Sequence, residues 1–542
     1  MAGYDGSKAI NAETADAMFR RFAKLMNNPA AVKPQWDEDA GRYSNESVSN
    51  WLDLYADGLV YGVRIPLYDY SPVTSAIKTG ANAGLVLEAS TEAAAGRNDY
   101  EGKKLFMCPR VNGGVDKEGM PYVTAIEGLD DRFDPVANNT FALRPVYYVR
   151  YAKDSQYYDK EFTDSPRDGF SPVRGAYTTG GELRPFLLRA CYMDSDGAFS
   201  SKSGTVPAAN YSGTVANKVA HCASNDYTWS RNRASTDGLT YLDYGDITEQ
   251  IDFMQLMLGV KAPREKAVGC VSYNLQYTVA QAESEVKRVV LTDDQAANVI
   301  VGSRLSVGSC EGQTDRYYAV VHDIAKSAKV LSKTSLGDGK TAVNLDLAEA
   351  ITTTATTKVT SMPWANGSCD GVLGMFGAPT QAGLTNGTMP FRFLNVEWQL
   401  GLYETVHNMI SAATIDGTKR THVWKIAADV SKCNGISSSA TGWTQLAQTT
   451  EAATAGWKYI EDYVTEKGAS AISKVGGTST TGYKSAWYPT DGNGDREHLV
   501  GGYLYSGANA GVGCVHSNSA LSYTGWYIGG RASAIGHSAP AE

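Results

Sequence analysis

The chain has 542 residues, enough for several domains and a large core. Hydrophobic residues make up 43% and charged residues 20%, an ordinary globular balance, so low-complexity and collagen-like classes are excluded. The net charge of -9, with no basic run, argues against a nucleic-acid-binding role, and no run of about 18 apolar residues predicts a membrane span.

The N-terminus, MAGYDGSKAINAETADAMFRRFAKLM, lacks the apolar core of a secretory signal, so synthesis in a cytoplasm without export is expected. Over 13–26, Ala15, Met18, Phe19, Phe22, Leu25 and Met26 recur at helical spacing, and Asn27, Asn28 and Pro29 end the pattern. Such a helix either docks on a partner or packs on its own core. From Leu59, the segments LVYGVRIPLYDY, GLVLEAS, KLFMCPRV, PYVTAIE and FALRPVYYVRY read as short strands between Gly, Pro and Asp turns, up to about residue 165.

YGDITEQIDFMQLMLGVK predicts a helix with Ile247, Ile251, Met254 and Leu258 on one face and Asp246 with Glu249 as an N-capping pair. Its methionines read as core. ANVIVGSRLSVGS, YYAVVHDIA and AVNLDLA return to strand, and the Thr-rich AITTTATTKVT closes a small β insert or barrel. FRFLNVEWQLGLYETVHNMI predicts a strand turning into a helix, with Trp398, Leu402 and Met409 inward and His407 on the helix. Beyond it, Trp424, Trp443, Trp457 and Trp487 are spread through Ser/Thr/Gly-rich sequence, expected as long loops anchored by tryptophan. Cys108, Cys191, Cys222, Cys270, Cys310, Cys369, Cys433 and Cys514 lie far apart, without metal-type spacing, and read as buried free thiols.

The last segment differs in kind. Between Leu499 and Ala541 there is no Lys, Glu, Asp, Gln or Met, and Arg531 is the one charged residue. At the charged fraction of the whole chain, about eight or nine charges would be expected there. Tyr, Ser, Asn, Gly and His are set between the blocks GANAG and GWYIGGR.

These residues carry a resemblance. The helix before the insert, SMPWANGSCDG at 361–371, the FRFLNVEWQLGLYE element and the ending GANAGV…GWYIGGR resemble phage proteins diversified by retroelements, whose C-type-lectin-like fold is of the formylglycine-generating-enzyme type. The resemblance covers roughly 165–542 and is most specific from Gly511 to Arg531. It implies an α+β fold: a C-terminal C-type-lectin-like domain with a small β insert, preceded by a β-rich N-terminal region with a short helix. The implied organisation is a helical attachment segment (1–60), a β-rich virion-attachment domain (61–165), a first lectin-like part (166–290), the insert (291–360) and a second lectin-like part (361–542), variable over about 499–531.

In that family, adenines of AAY codons are rewritten. Randomised AAY never encodes Lys, Glu, Gln, Met or Trp, which accounts for the missing Lys, Glu, Gln and Met. The displayed, ligand-binding positions implied are Tyr503, Tyr505, Ser506, His516, Asn518, Ser519, Tyr523, Gly525, Tyr527 and Gly530. The scaffold implied is Gly502, Gly507, Gly511, Trp526, Ile528, Gly529 and Arg531, with Arg531 tying the terminus by charge-assisted hydrogen bonds. The departure is Leu504, where relatives frequently carry Trp. Tyr supplies contact area at low entropy cost, and Ser, Gly, Asn and His adapt their hydrogen bonds, as in antibody paratopes.

The function implied is a virion receptor-binding protein, an adhesin for a host bacterial surface protein or glycan. It would be a homotrimer, attached to other virion proteins through its N-terminal region. Neither nucleic acid nor membrane insertion is expected. No catalytic residue, metal ligand or cofactor is expected; calcium stays open, although no DxDxDG-type loop occurs. The alternatives are a structural virion component, as head decoration or tail tip, and an oxidase like the fold's namesake. The oxidase needs a close cysteine pair for copper, and Cys514 stands alone. A secreted adhesin would need a signal.

Overall fold

The computed structural model describes residues 33–67, 75–195, 199–207, 220–233, 238–309, 321–466 and 468–536. The expected helix at 13–26 lies outside them, as does Cys310. Strands make up 38% of the described residues and helices 12%, so the mixed α+β class is strand-dominated.

The principal helices are α1 (Asn45–Asp53), α2 (Ala223–Arg233) and α3 (Tyr244–Leu258). Helix α3 organises the body. Its N-cap is Asp243, with Asp246 completing the capping box, so the cap lies three residues before the expected Asp246/Glu249 pair. Gly259 ends it in the left-handed conformation, φ 62°. Asp243, Asp246, Glu249 and Asp252 recur every third residue, so their carboxylates wind half-way round the helix. Each meets a cation brought by the strands or loops around it. Arg174 forks onto Asp243 at 2.8 and 2.7 Å. Arg189 lies 3.3 Å from Asp246 and bonds Glu249 at 2.8 Å. Arg144 reaches Glu249 at 3.0 Å, and Lys160 pairs with Asp252. Phe253, Met254 and Met257 enter the largest apolar cluster beside Tyr61, Phe106, Tyr147, Phe162, Phe391 and Trp398.

That cluster corrects the expected division at residue 165. A five-stranded antiparallel sheet orders 171–172, 148–153, 157–163, 61–66 and 77–80. A six-stranded sheet orders 240–241, 532–533, 187–190, 140–144, 110–115 and 121–126. The 61–165 region therefore shares a sheet with the chain's last strand and a core with α3, and is no separable attachment domain. Pairing partners hundreds of residues apart leave no mark on local sequence, which is why the boundary was misplaced.

The insert is a unit with its own core, wider than the expected 291–360. Its strands run in the order 276–278, 358–362, 304–308, 325–337, 340–345 and 288–292. The Gln281–Val290 bridge, with Ala280 N–H donating to Val290 O at 2.8 Å, closes them into a barrel. Val289, Leu291, Leu305, Val307, Val330, Val343, Leu345 and Val359 fill it.

The expected helix after Trp398 is a strand instead. Tyr403–Asp416 is the centre of a sheet ordered 443–452, 419–427, 403–416, 494–501, 515–517, 486–489, 458–466 and 469–475. Its β-branched residues and its burial on both faces suit a central strand, and burial on both faces hides the period of two. The register jumps from Thr405–Leu499 to Ile410–Glu497, leaving Val406–Met409 as a bulge. His407 sits in that bulge, buried, its Nδ1 2.9 Å from Leu242 O. Asn408 accepts from Tyr244 N–H at 3.1 Å and donates to Asp243 at 2.7 Å, so the bulge holds the start of α3. The region expected as tryptophan-anchored loops is thus largely sheet, with Trp424, Trp443 and Trp487 buried in it.

Candidate functional site

Two excursions of the terminal segment leave one region of this sheet. Gly501 (φ 89°) ends strand 494–501, and a Cβ at Gly502 would lie 2.3 Å from that of Ala510, so the 502–510 loop can close only on glycine. Leu504 N–H bonds Gly401 O at 3.3 Å, and Gly507 N–H bonds Val271 O at 2.6 Å. Gly507 adopts φ 54°, and Gly511 packs its Cα against Arg264. Strand 515–517 then pairs antiparallel with 499–500 and parallel with 487–489. The second excursion, 518–527, returns through Ile528–Gly529, which pair parallel with Tyr403–Glu404.

Beneath both excursions lies Tyr403, fully buried. Its ring centroid is 5.4 Å from Tyr503, 5.2 Å from His516 and 6.3 Å from Tyr527. Tyr503 and Tyr527 are 4.9 Å apart, Tyr505 is 6.2 Å from Tyr503, and Tyr523 is 6.4 Å from Tyr527. The Tyr527 hydroxyl donates to that of Tyr523 at 2.8 Å. Tyr505 and Tyr523 are 65% and 42% exposed, so ring faces reach solvent. Asn518 is exposed; Tyr503, His516, Ser519, Gly525 and Tyr527 are half-buried. A Cβ at Gly525 would press on the Tyr527 ring at 2.9 Å.

Two of the expected display positions belong to the interior. Ser506 is buried; its Oγ accepts from Tyr503 N–H at 3.1 Å and lies 3.3 Å from the Tyr403 hydroxyl. Gly530 is buried against His221, and a Cβ there would lie 2.3 Å from the imidazole Nδ1. Both contacts are tertiary, made to residues distant in sequence.

Of the expected scaffold, Gly507 is half-buried and the other six residues lie inside. Trp526 and Leu504 pack with Met193, Cys270, Tyr273, Met362, Trp364, Leu400 and Leu402. Leu504 is therefore the packed residue of its loop. Ile528 packs with Tyr403 and Leu499. Arg531 is 2% exposed and forks onto Glu404 at 2.7 and 2.9 Å. It also donates to Glu397 O at 2.7 Å and Ala190 O at 3.2 Å, and its guanidinium lies 4.6 Å from the Trp398 ring centroid. One side chain thus joins the terminus to three strands, 187–190, 396–398 and 403–416.

The terminal segment brings no charge to this surface. Arg531 is the one charged residue of 499–531 and it is buried. Burial pushes the His516 imidazole down to about 4, so it is uncharged at neutral pH.

Sequence reasoning missed the rings that extend this surface from outside the segment. Tyr488 stacks on His516 with centroids 5.3 Å apart and planes 8° from parallel, and Trp457 is 5.0 Å from Tyr488. Tyr459 donates to Asn509 Oδ1 at 2.6 Å. No periodicity marked them, because only sheet pairing brings 457–488 beside 515–517.

Elsewhere, polar clusters are sealed. His221 lies between Asp226, at 2.8 Å, and Asp194, at 3.3 Å, all three buried. Burial alone would lower the imidazole, but the two carboxylates outweigh it and raise it to about 10. A cavity of about 650 Å³ lies on another part of the body, lined by Cys108, Arg110, Asp370 and Arg392. Arg110 there is engaged by Glu127 and Asp370, and burial raises the Cys108 thiol to about 11, far from a thiolate nucleophile. Among the described residues, no three His, Cys, Asp or Glu side chains converge as a metal site, the seven described cysteines are buried and free, and no helix is long and apolar enough to cross a membrane. No protein-family model matches the chain, and no curated protein matches it.

Proposed function

We propose that the chain is a receptor-binding protein of the diversified, C-type-lectin-like kind, an adhesin of a phage virion directed at a host bacterial surface molecule. The observation that carries the reading is the tyrosine-rich surface gathered over Tyr403, built from a segment whose inward residues, Trp526, Ile528 and Arg531, are all fixed by packing. A surface can vary only where it has no packing role, since large-to-small core changes cost roughly 2–5 kcal/mol. Support for the lectin-like fold comes from the last strand, Ala532–Ser533. It pairs with 187–190 and 240–241, so the ends of the domain meet in one sheet while loops between them carry the face. The reading assigns no turnover, cofactor or metal, and it includes a homotrimer, whose several weak sites would act together.

The experiment is adsorption of the purified protein to host cells. Tyr505→Ala with Tyr523→Ala should abolish adsorption while stability stays within about 0.5 kcal/mol of wild type, as for exposed positions that carry binding energy. Undiminished adsorption of that double variant would reject the reading.

A further inference from the structure

We propose that this surface is a platform for an uncharged polysaccharide, and that Trp457 and Tyr488, outside the terminal segment, form one end of it. The inference rests on the receptor-binding reading and narrows its ligand.

The rings make a continuous band. From Trp457 it passes to Tyr488 (5.0 Å), His516 (5.3 Å), the buried Tyr403 (5.2 Å), Tyr503 (5.4 Å), Tyr527 (4.9 Å) and Tyr523 (6.4 Å). Tyr505 branches from Tyr503 with its ring 65% exposed. Tyr403 is buried beneath this row, and the partly exposed rings on either side of it, Trp457 and Tyr488 at one end and Tyr503, Tyr505, Tyr523 and Tyr527 at the other, suit a chain ligand whose units repeat at a similar distance. Sugar rings present an apolar C–H face and a hydroxylated edge. Against the edge stand the Tyr523 and Tyr527 hydroxyls, the exposed Asn518 amide and Asn509 beside Tyr459.

Charge and shape decide between ligand classes. A polyanion would lose water against the rings while the terminal segment supplies it no counter-charge, a costly transfer. A protein partner carries charges at its rim and gains from aliphatic anchors at its centre. Here the large aliphatic residues Leu504, Val512, Val515 and Ile528 are buried, and the terminal segment adds no exposed charge. What remains outward is rings, hydroxyls and amides, the groups that an uncharged glycan can use in full.

The test is binding of the full chain to an array of neutral and acidic bacterial glycans, at low and high salt. The expected binders are neutral oligomers, with affinity changing less than about two-fold with salt, since an uncharged ligand forms no ion pair for salt to screen. Trp457→Ala and Tyr488→Ala should each lower affinity about ten-fold, the loss of one stacked ring. Trp457→Phe should keep most of it, which a purely structural role for the indole would not require. Binders confined to acidic glycans would overturn the proposal. So would cell adsorption that protease treatment of the cells removes while every glycan fails, and in that case the receptor-binding reading would survive. Full affinity in both Trp457→Ala and Tyr488→Ala would also overturn it.

Discussion

Removing the Arg531 guanidinium should unfasten the terminal segment. In Arg531→Met the side-chain volume is largely kept, but Glu404, 4% exposed, loses both bonds of the fork, at 2.7 and 2.9 Å. Two carbonyls, Glu397 O and Ala190 O, lose their donor at the same time. Breaking a buried pair by deleting one partner costs about 3–5 kcal/mol, because the other charge is left without compensation. Arg531→Lys keeps the charge without the planar fork and should cost about half as much. Neutralising the orphan should recover part of the loss, so Glu404→Gln combined with Arg531→Met should be less damaging than the sum of the two, by about 1–3 kcal/mol. Urea midpoints of the four proteins, followed by the fluorescence of the tryptophans, supply the numbers. An Arg531→Met midpoint equal to wild type, or strict additivity in the cycle, would refute the reasoning that this pair anchors the segment.

Three further outcomes follow from the same coordinates. Gly530→Ala should destabilise by about 1–3 kcal/mol in urea melts, because its Cβ would lie 2.3 Å from His221 Nδ1 and the ring is held by Asp226 and Asp194. The buried His422 and His498 are pushed down to about 3, chiefly by burial, so each should stay neutral to pH 5 in histidine proton resonances. A depressed folded pKa gives stability that is present above the unfolded value and lost as pH falls, about 2 kcal/mol per histidine by pH 5. Asp246 and Glu397, raised by burial to about 6 and 7, act in the opposite sense over the same range, so the resonances are a cleaner readout than the melt. Replacing 276–360 by a short Gly/Ser turn should leave the rest folded, by near-ultraviolet dichroism, because Leu275 and Ser361 already meet through bonds of 2.9 and 3.1 Å.

How much of this was legible in the sequence depends on the range of the interactions. The terminal segment was readable because its missing residue types and its Trp526–Arg531 ending are local facts. Strand-rich character, the buried cysteines, and the existence of α3 and of the insert were readable for the same reason. The burial of Ser506 and Gly530 was not, because it is set by Tyr403 and His221 from other strands. The carboxylate series of α3 looked like a helix cap, since its cations, Arg144, Lys160, Arg174 and Arg189, come from strands and loops far upstream. The 403–416 strand passed for a helix because burial on both faces and the Val406–Met409 bulge erase the alternation that identifies strands. Trp457 and Tyr488 carried no signal until sheet pairing placed them beside His516.

The central claim is that a variable face stands on a fixed frame, and sequencing the 3′ end of the gene across independent isolates tests it most directly. Substitutions should concentrate at 503, 505, 516, 518, 519, 523 and 527, should fall on adenine positions of their codons, and should spare Trp526, Ile528 and Arg531. Position 506 should admit only small side chains and 530 only glycine, given their contacts with Tyr403 and His221. Substitutions spread evenly through the segment, or reaching Trp526 and Arg531 as often as Tyr505 and Tyr523, would contradict the account.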